Sequence, residues 1–198
     1  QDLSEPLADN LTRGDALVFV ALFHDMAKAE TYAVTPQGRV TFFHHDRRGA
    51  ELADAWCRRY RTASRFRELI ALCVRKHLAL GFMVHKQPLS LRQIDRYLRS
   101  TAPAEAELMV LSVADRLATD GPRTTPIQIQ RHLDIARQVA RWHVTQRDWM
   151  IGATSRVNVG AGDFSSLAKA ECGMAPAMIS VSAAAVVASW WEVRRCIV

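Results

Sequence analysis

The chain has 198 residues, 49% of them hydrophobic and 23% charged, with a formal net charge of +6. That is an ordinary globular composition with length for one good core, and its basic balance favours anionic partners such as nucleotides or RNA. The four cysteines, at positions 57, 73, 172 and 196, lack paired CxxC spacing, and no basic-then-apolar leader opens the chain.

Taken in chain order, the first strong element is GDALVFVALFHDMAK (residues 14–28). Its apolar residues surround the whole helical circumference, which predicts a central buried helix with Asp15 as its N-cap. In TYAVTPQGRVTFF (31–43), two β-prone arms flank Pro36-Gln37-Gly38, the pattern of a small hairpin. The helical period returns in DRRGAELADAWCRRY, with Ala50, Ala53, Trp56, Cys57 and Tyr60 on one stripe. A second such helix, RFRELIALCVRKHL, spaces Phe66, Leu69, Ile70, Cys73, Val74 and His77 along one face. Phe82 and Met83 read as core, and His85 as a surface residue in a connection. A short helix begins at Ser90. The next, in PAEAELMVLSVADRLATD, turns Val110, Val113, Ala114 and Leu117 inward, with Asp115 beside that stripe. IQIQRHLDIARQVARWHVTQRD (127–148) is a last amphipathic helix in which His132 and His143 are structural or exposed. The fold class is all-α, a helical bundle with one small hairpin. Cys57 and Cys73 fall at apolar helical positions and read as reduced core thiols, in keeping with a cytoplasmic location.

Within this pattern one pair demands an explanation. His24 and Asp25 stand side by side at the end of an apolar run, and such polar groups lose hydration on burial unless they find partners. A divalent ion is one such partner. His77 closes the apolar stripe of its own helix, Asp115 flanks that of a third, and His45 stands between the hairpin and a helix, with His44 facing solvent beside it. Imidazoles and carboxylates on separate inward-leaning helices suit a hard or borderline divalent cation.

These motifs, FHDMAK, FFHHDRRGAELA, VRKHL and SVADRLATDG, resemble in order those of HD-domain metal-dependent phosphohydrolases. They are similar above all to the HD domain that follows the nucleotidyltransferase head in bacterial tRNA nucleotidyltransferase and poly(A)-polymerase-like proteins. The resemblance spans about residues 15–148 and implies an HD helical bundle over residues 1–148. It implies that His24, Asp25 and Asp115 ligate a divalent ion (Mg, Mn, Fe, Ni or Co), with His45 and His77 as further ligands or phosphate-holding groups. It casts Asp25, Lys28, His45 and His77 as catalytic: Asp25 orients ion and nucleophile, Lys28 binds the substrate phosphate, and His45 or His77 protonates the leaving oxygen. The implied activity is hydrolysis of phosphomonoesters or 2′,3′-cyclic phosphodiesters of nucleotides or RNA ends, with tRNA a candidate partner.

Two departures from the family pattern stand out. Ala27 replaces the Gly usually found before the Lys. A further ligand His, expected about two dozen residues ahead of the His-Asp pair, falls at or just before Gln1, and no histidine precedes His24. The expectation is therefore a fragment with an incomplete first helix and weakened metal binding.

The basic residues also need placing. Between positions 47 and 76 stand Arg47, Arg48, Arg58, Arg59, Arg61, Arg65, Arg67, Arg75 and Lys76 against Glu51, Asp54 and Glu68, an excess that could track phosphates along RNA. From Trp149 the composition changes to small residues, and the charge-free run Gly173–Trp191 is long enough to raise a membrane reading. Its Ala, Ser and Val content and Pro176 argue against insertion, so residues 149–198 are expected to be a divergent extension and no membrane partner is expected. Three readings follow: a metal-dependent phosphohydrolase, an auxiliary RNA-positioning domain of a nucleotidyltransferase-like protein, and a helical scaffold with a degenerate site.

Overall fold

A computed structural model describes residues 3–119 and 124–154 of the chain, with side chains to residue 145. The chain divides into two compact units, Gln1–Ala140 and Arg141–Val198. The fold and site described below belong to the first.

A short hairpin leads in. β1 (Pro6–Ala8) pairs antiparallel with β2 (Leu11–Thr12) across Asp9 and Asn10, whose φ angles are 54° and 60°. Asp and Asn tolerate this left-handed region, which a two-residue hairpin turn needs. Strands this short carry no readable alternation, so this second hairpin is invisible to periodicity.

α1 (Arg13–Phe23) begins at Thr12, not at Asp15 as expected. Thr12 Oγ1 accepts from the Asp15 backbone N–H while Asp15 Oδ2 accepts from the Thr12 N–H at 2.8 Å, a reciprocal capping box. The helix also ends sooner than expected: His24 is its C-cap, Asp25 departs at φ −109°, ψ 3°, and Met26–Lys28 form a 3₁₀ turn. Nor is α1 buried on every side. Ala16, Val20 and Phe23 enter the core, but Val18 and Leu22 are exposed, so its uniform apolarity overstates its burial.

β3 (Ala33–Val34) and β4 (Val40–Thr41) form the expected hairpin, with Gly38 at φ 75° in its turn. Two long helices follow, α2 (His45–Arg59) and α3 (Ser64–Lys76), packed closely on each other. Gly49 explains their closeness: a Cβ there would meet Val74 Cγ1 at 3.1 Å and the backbone oxygen of His24 at 3.8 Å. The α3 stripe is buried throughout, as are Ala50, Ala53 and Cys57 of α2, but Tyr60 ends its stripe in solvent. Cys57 and Cys73 are buried free thiols. α4 (Ala79–Met83) buries Met83 and leaves Phe82 61% exposed, contrary to the core reading of Phe82. α5 (Leu91–Thr101) begins at Ser90, as its sequence predicts, and Ser90 and Gln93 form a second capping box there.

α6 (Glu105–Ala118) is rotated from expectation. Its buried positions are Glu107, Leu108, Leu111 and Ser112; Val110, Val113 and Ala114 are half-buried and Leu117 is exposed. The cause is an ion pair that apolar periodicity cannot see. Glu107, fully buried, accepts from Arg13 Nε at 2.5 Å, and Arg13 Nη2 donates to the Pro103 carbonyl at 2.6 Å. Inside a core such a charge is tolerated only with its partner in place. α7 (Pro126–Thr154) buries His132, Ile135, Ala136 and Val139 on its amphipathic face. The expected extension lies, from residue 155 on, outside the described residues, and with it the apolar run 173–191. Among the described residues no helix is long and apolar enough to cross a membrane.

Candidate metal centre

Helix ends converge at one place. His24 is the C-cap of α1 and His77 the C-cap of α3, while His45 is the first residue of α2 and Asp115 lies in the last turn of α6. His45 owes its place to His44, whose left-handed φ of 64° turns the chain from hairpin to helix and leaves the His44 side chain exposed.

Each of the three inward imidazoles is held the same way. The Nδ1–H groups of His24, His45 and His77 donate to the carbonyls of Ala21, Phe42 and Val74, at 2.8, 2.8 and 2.7 Å. A carbonyl only accepts, so Nδ1 carries a proton in each ring, and Nε2 is the nitrogen turned into the cluster, bare wherever the ring is neutral. Those nitrogens meet. His45 Nε2 and His77 Nε2 are 3.2 Å apart, which neutral rings in this tautomer cannot turn into a hydrogen bond. Asp25 Oδ1 lies 3.4 Å from His45 Nε2 and 3.8 Å from His77 Nε2. Its other oxygen, Oδ2, lies 3.3 Å from His24 Nε2, and Asp115 Oδ1 lies 3.7 Å from that same nitrogen. His24 Nε2 is buried without a hydrogen-bond partner.

The electrostatics favour a cation. Burial works against protonating His24, yet the carboxylates of Asp115 and Asp25 outweigh it and raise its pKa to about 10. Burial would raise Asp25 too, but His24 and Lys28 hold its carboxyl well below the usual carboxylate range. His24 likewise lowers Asp115. At His77, burial prevails and favours the neutral ring. The negative ends of α1 and α3 add to the attraction for positive charge. Nitrogen and oxygen donors together, with backbone tethers behind each imidazole, fit a divalent ion.

The ligand atoms of Asp25, His45 and His77 lie within 4.8 Å of one another, and His24 and Asp115 join them through the contacts above. Lys28 stands at the edge: its Nζ donates to Asp25 Oδ2 at 2.6 Å and lies 5.6 Å from the Phe42 ring centroid. His44 and His85 are exposed, and His132 meets Ser112 Oγ at 3.0 Å. What sequence reasoning missed is the backbone half of the site. The tethering carbonyls of Ala21, Phe42 and Val74 have no residue-type signature; the only clue is that each histidine lies at a helix end.

This fold and this cluster define a family. The HD domain family matches residues 2–120, and the chain belongs to it. Among curated proteins it is 38% identical over 80 residues to a multifunctional CCA protein of Xanthomonas axonopodis pv. citri (strain 306). It is 37% identical over 79 residues to a multifunctional CCA protein of Xanthomonas euvesicatoria pv. vesicatoria (strain 85-10). Each match covers 39% of this chain and 18% of the relative, so the similarity spans less than a fifth of either protein's length.

Proposed function

We propose that the chain is a divalent-metal-dependent phosphohydrolase acting on phosphomonoesters or 2′,3′-cyclic phosphodiesters of nucleotides or RNA ends. One observation carries this reading: three imidazoles, each tethered through Nδ1 to a backbone carbonyl, turn Nε2 toward one another and toward two carboxylates, with every measured pair under 4 Å. His24, Asp25 and Asp115 would hold the ion, with His45 and His77 as further ligands. A bound divalent ion supplies Lewis acidity toward phosphoryl oxygens and lowers the pKa of water.

The chain's own groups do the rest. Asp25 directs one oxygen to each side of the cluster, so a single carboxylate orients both His24 and the His45–His77 pair. Lys28, with 41% of its side chain exposed, places an ammonium on the solvent side of Asp25, where it can pair with a phosphate oxygen. The His45 side chain is 10% exposed against 3% for His77, so of the two it is the one to serve, protonated on Nε2 and in place of a ligand role, as donor to a leaving oxygen.

The test uses bis-p-nitrophenyl phosphate and 2′,3′-cyclic nucleotides with a panel of divalent ions. Metal-dependent release of product, lost in Asp25→Ala, is expected. Absence of turnover with every ion, in protein shown by calorimetry to bind that ion, would defeat the enzymatic reading. The curated relatives favour a second one: an auxiliary domain that positions RNA within a larger nucleotidyltransferase-like protein. It predicts that tRNA binding persists in Asp25→Ala and needs no divalent ion.

A further inference from the structure

At the opposite end of α2 from the metal centre, arginines crowd a single turn. Arg58 and Arg59 end α2, Arg61 sits in the connection at φ 54°, and Arg65 and Arg67 fall in the opening turn of α3. Asp54 neutralises two of them, lying 2.7 Å from Arg58 Nε and 3.2 Å from Arg67 Nε. Arg59, Arg61 and Arg65 are exposed and make no ion pair among the described residues. The helix dipole accounts for Arg58 and Arg59, at a negative helix end, but it opposes Arg65 at the positive end of α3. Three unpaired guanidiniums in one turn repel one another, and of the three only Arg59 is favoured by a helix dipole.

Beside them stands Tyr60, 61% exposed, its ring centroid 4.4 Å from that of Trp56 at 37°. Trp56 in turn packs on Phe23 at 5.0 Å and Phe19 at 5.9 Å. Tyr60 is thus an exposed ring with a rigid aromatic backing, flanked in sequence by Arg58, Arg59 and Arg61, while Asp9, whose Oδ2 accepts from the Ala63 N–H at 2.7 Å, and Asp54 are the carboxylates of this turn.

We propose that this turn is a binding site for single-stranded polynucleotide, with a base stacking on Tyr60 and the flanking phosphates paired by Arg59, Arg61 and Arg65. Stacking on an aromatic ring within a positive surface is how single strands are held without sequence preference. The site stands apart from the metal centre: α2 begins at His45 and its 15 residues span roughly 22 Å at 1.5 Å per residue. The inference does not depend on phosphohydrolase activity.

Fluorescence anisotropy of the full chain with a labelled single-stranded oligonucleotide tests it. Tyr60→Ala should weaken binding about tenfold and Tyr60→Phe should restore it, with folding checked by circular dichroism. Arg59→Ala and Arg61→Ala should each reduce the slope of log affinity against log salt by about one, while Arg92→Ala, at an exposed position on α5, leaves both unchanged. Equal affinity for duplex, an unaltered Tyr60→Ala, or binding only to vesicles containing anionic lipid would each overturn the proposal. Metal binding measured on the same variants stays at the wild-type level, which separates this result from the fate of the metal reading.

Discussion

Each histidine of the centre spends one nitrogen on a backbone carbonyl three residues behind it and keeps the other free. Ring orientation is thereby set before any ligand arrives, so substitutions that keep a polar side chain should still harm binding. Asp25→Asn is expected to lower divalent-ion affinity at least tenfold by calorimetry, because it removes a charge shared by three imidazoles; unchanged affinity would exclude Asp25 as a ligand. The buried ion pair at Arg13 offers a residue-scale test of the fold itself. Glu107→Ala removes the buried carboxylate that accepts from Arg13 Nε, while the Pro103 carbonyl and the charge of Glu5 remain, and should cost about 2 kcal/mol in urea unfolding. Side-chain identity draws attention to His24 and Asp25, a polar pair closing an apolar run, and the HD-like motifs add His45, His77 and Asp115 as candidates. Glu107 was illegible because its partner Arg13 is 94 positions away and neither carries a motif.

Helix limits were legible where a cap is written in side chains and illegible where geometry alone ends the helix. Ser90 is legible as a helix start, though its partner Gln93 is not singled out; at α1 the sequence points to Asp15, three residues past the true cap Thr12 and its partner in the box. Thr12→Ala should therefore destabilise the protein by about 1 kcal/mol, and Asp15→Ala should do so too, since the box needs both partners. A loss confined to Asp15→Ala would mean that Thr12 is no cap. The end of α1 has no such signal. His24 remains helical and the break falls at Asp25, inside what looks like a continuous apolar helix, and that break is what lets adjacent residues face one centre. Gly49→Leu tests the approach of α2 to α3: the added side chain starts 3.1 Å from Val74 Cγ1 and should lower thermal stability while weakening divalent-ion binding.

For the molecule as a whole, buried histidine makes stability depend on pH. Burial lowers the His132 pKa, and nearby Arg116 lowers it further, while Asp115 and the Ser112 backbone act in the opposite sense. The folded state therefore binds fewer protons than the unfolded chain below about pH 6.5, where free imidazole titrates, so stability falls as pH drops through that range. His132→Gln should flatten this part of the denaturation-midpoint profile; an unchanged profile would show that His132 titrates normally. Overall architecture was the most legible level, because long stripes such as that of α3 survive local error. The phase of α6 was not, since one buried charge pair reset it.

The candidate ligands stand at the termini of four helices, where amide protons exchange most freely with solvent because the last turns fray. A cation seated there acts as a clasp on four loose ends. Saturating it at a hundredfold excess over its dissociation constant adds about 2.7 kcal/mol to global stability. Deuterium uptake should consequently slow first around Phe23–Lys28, Phe43–Asp46, Lys76–Leu78 and Asp115–Ala118, and a chelator should reverse it there before the helix middles respond.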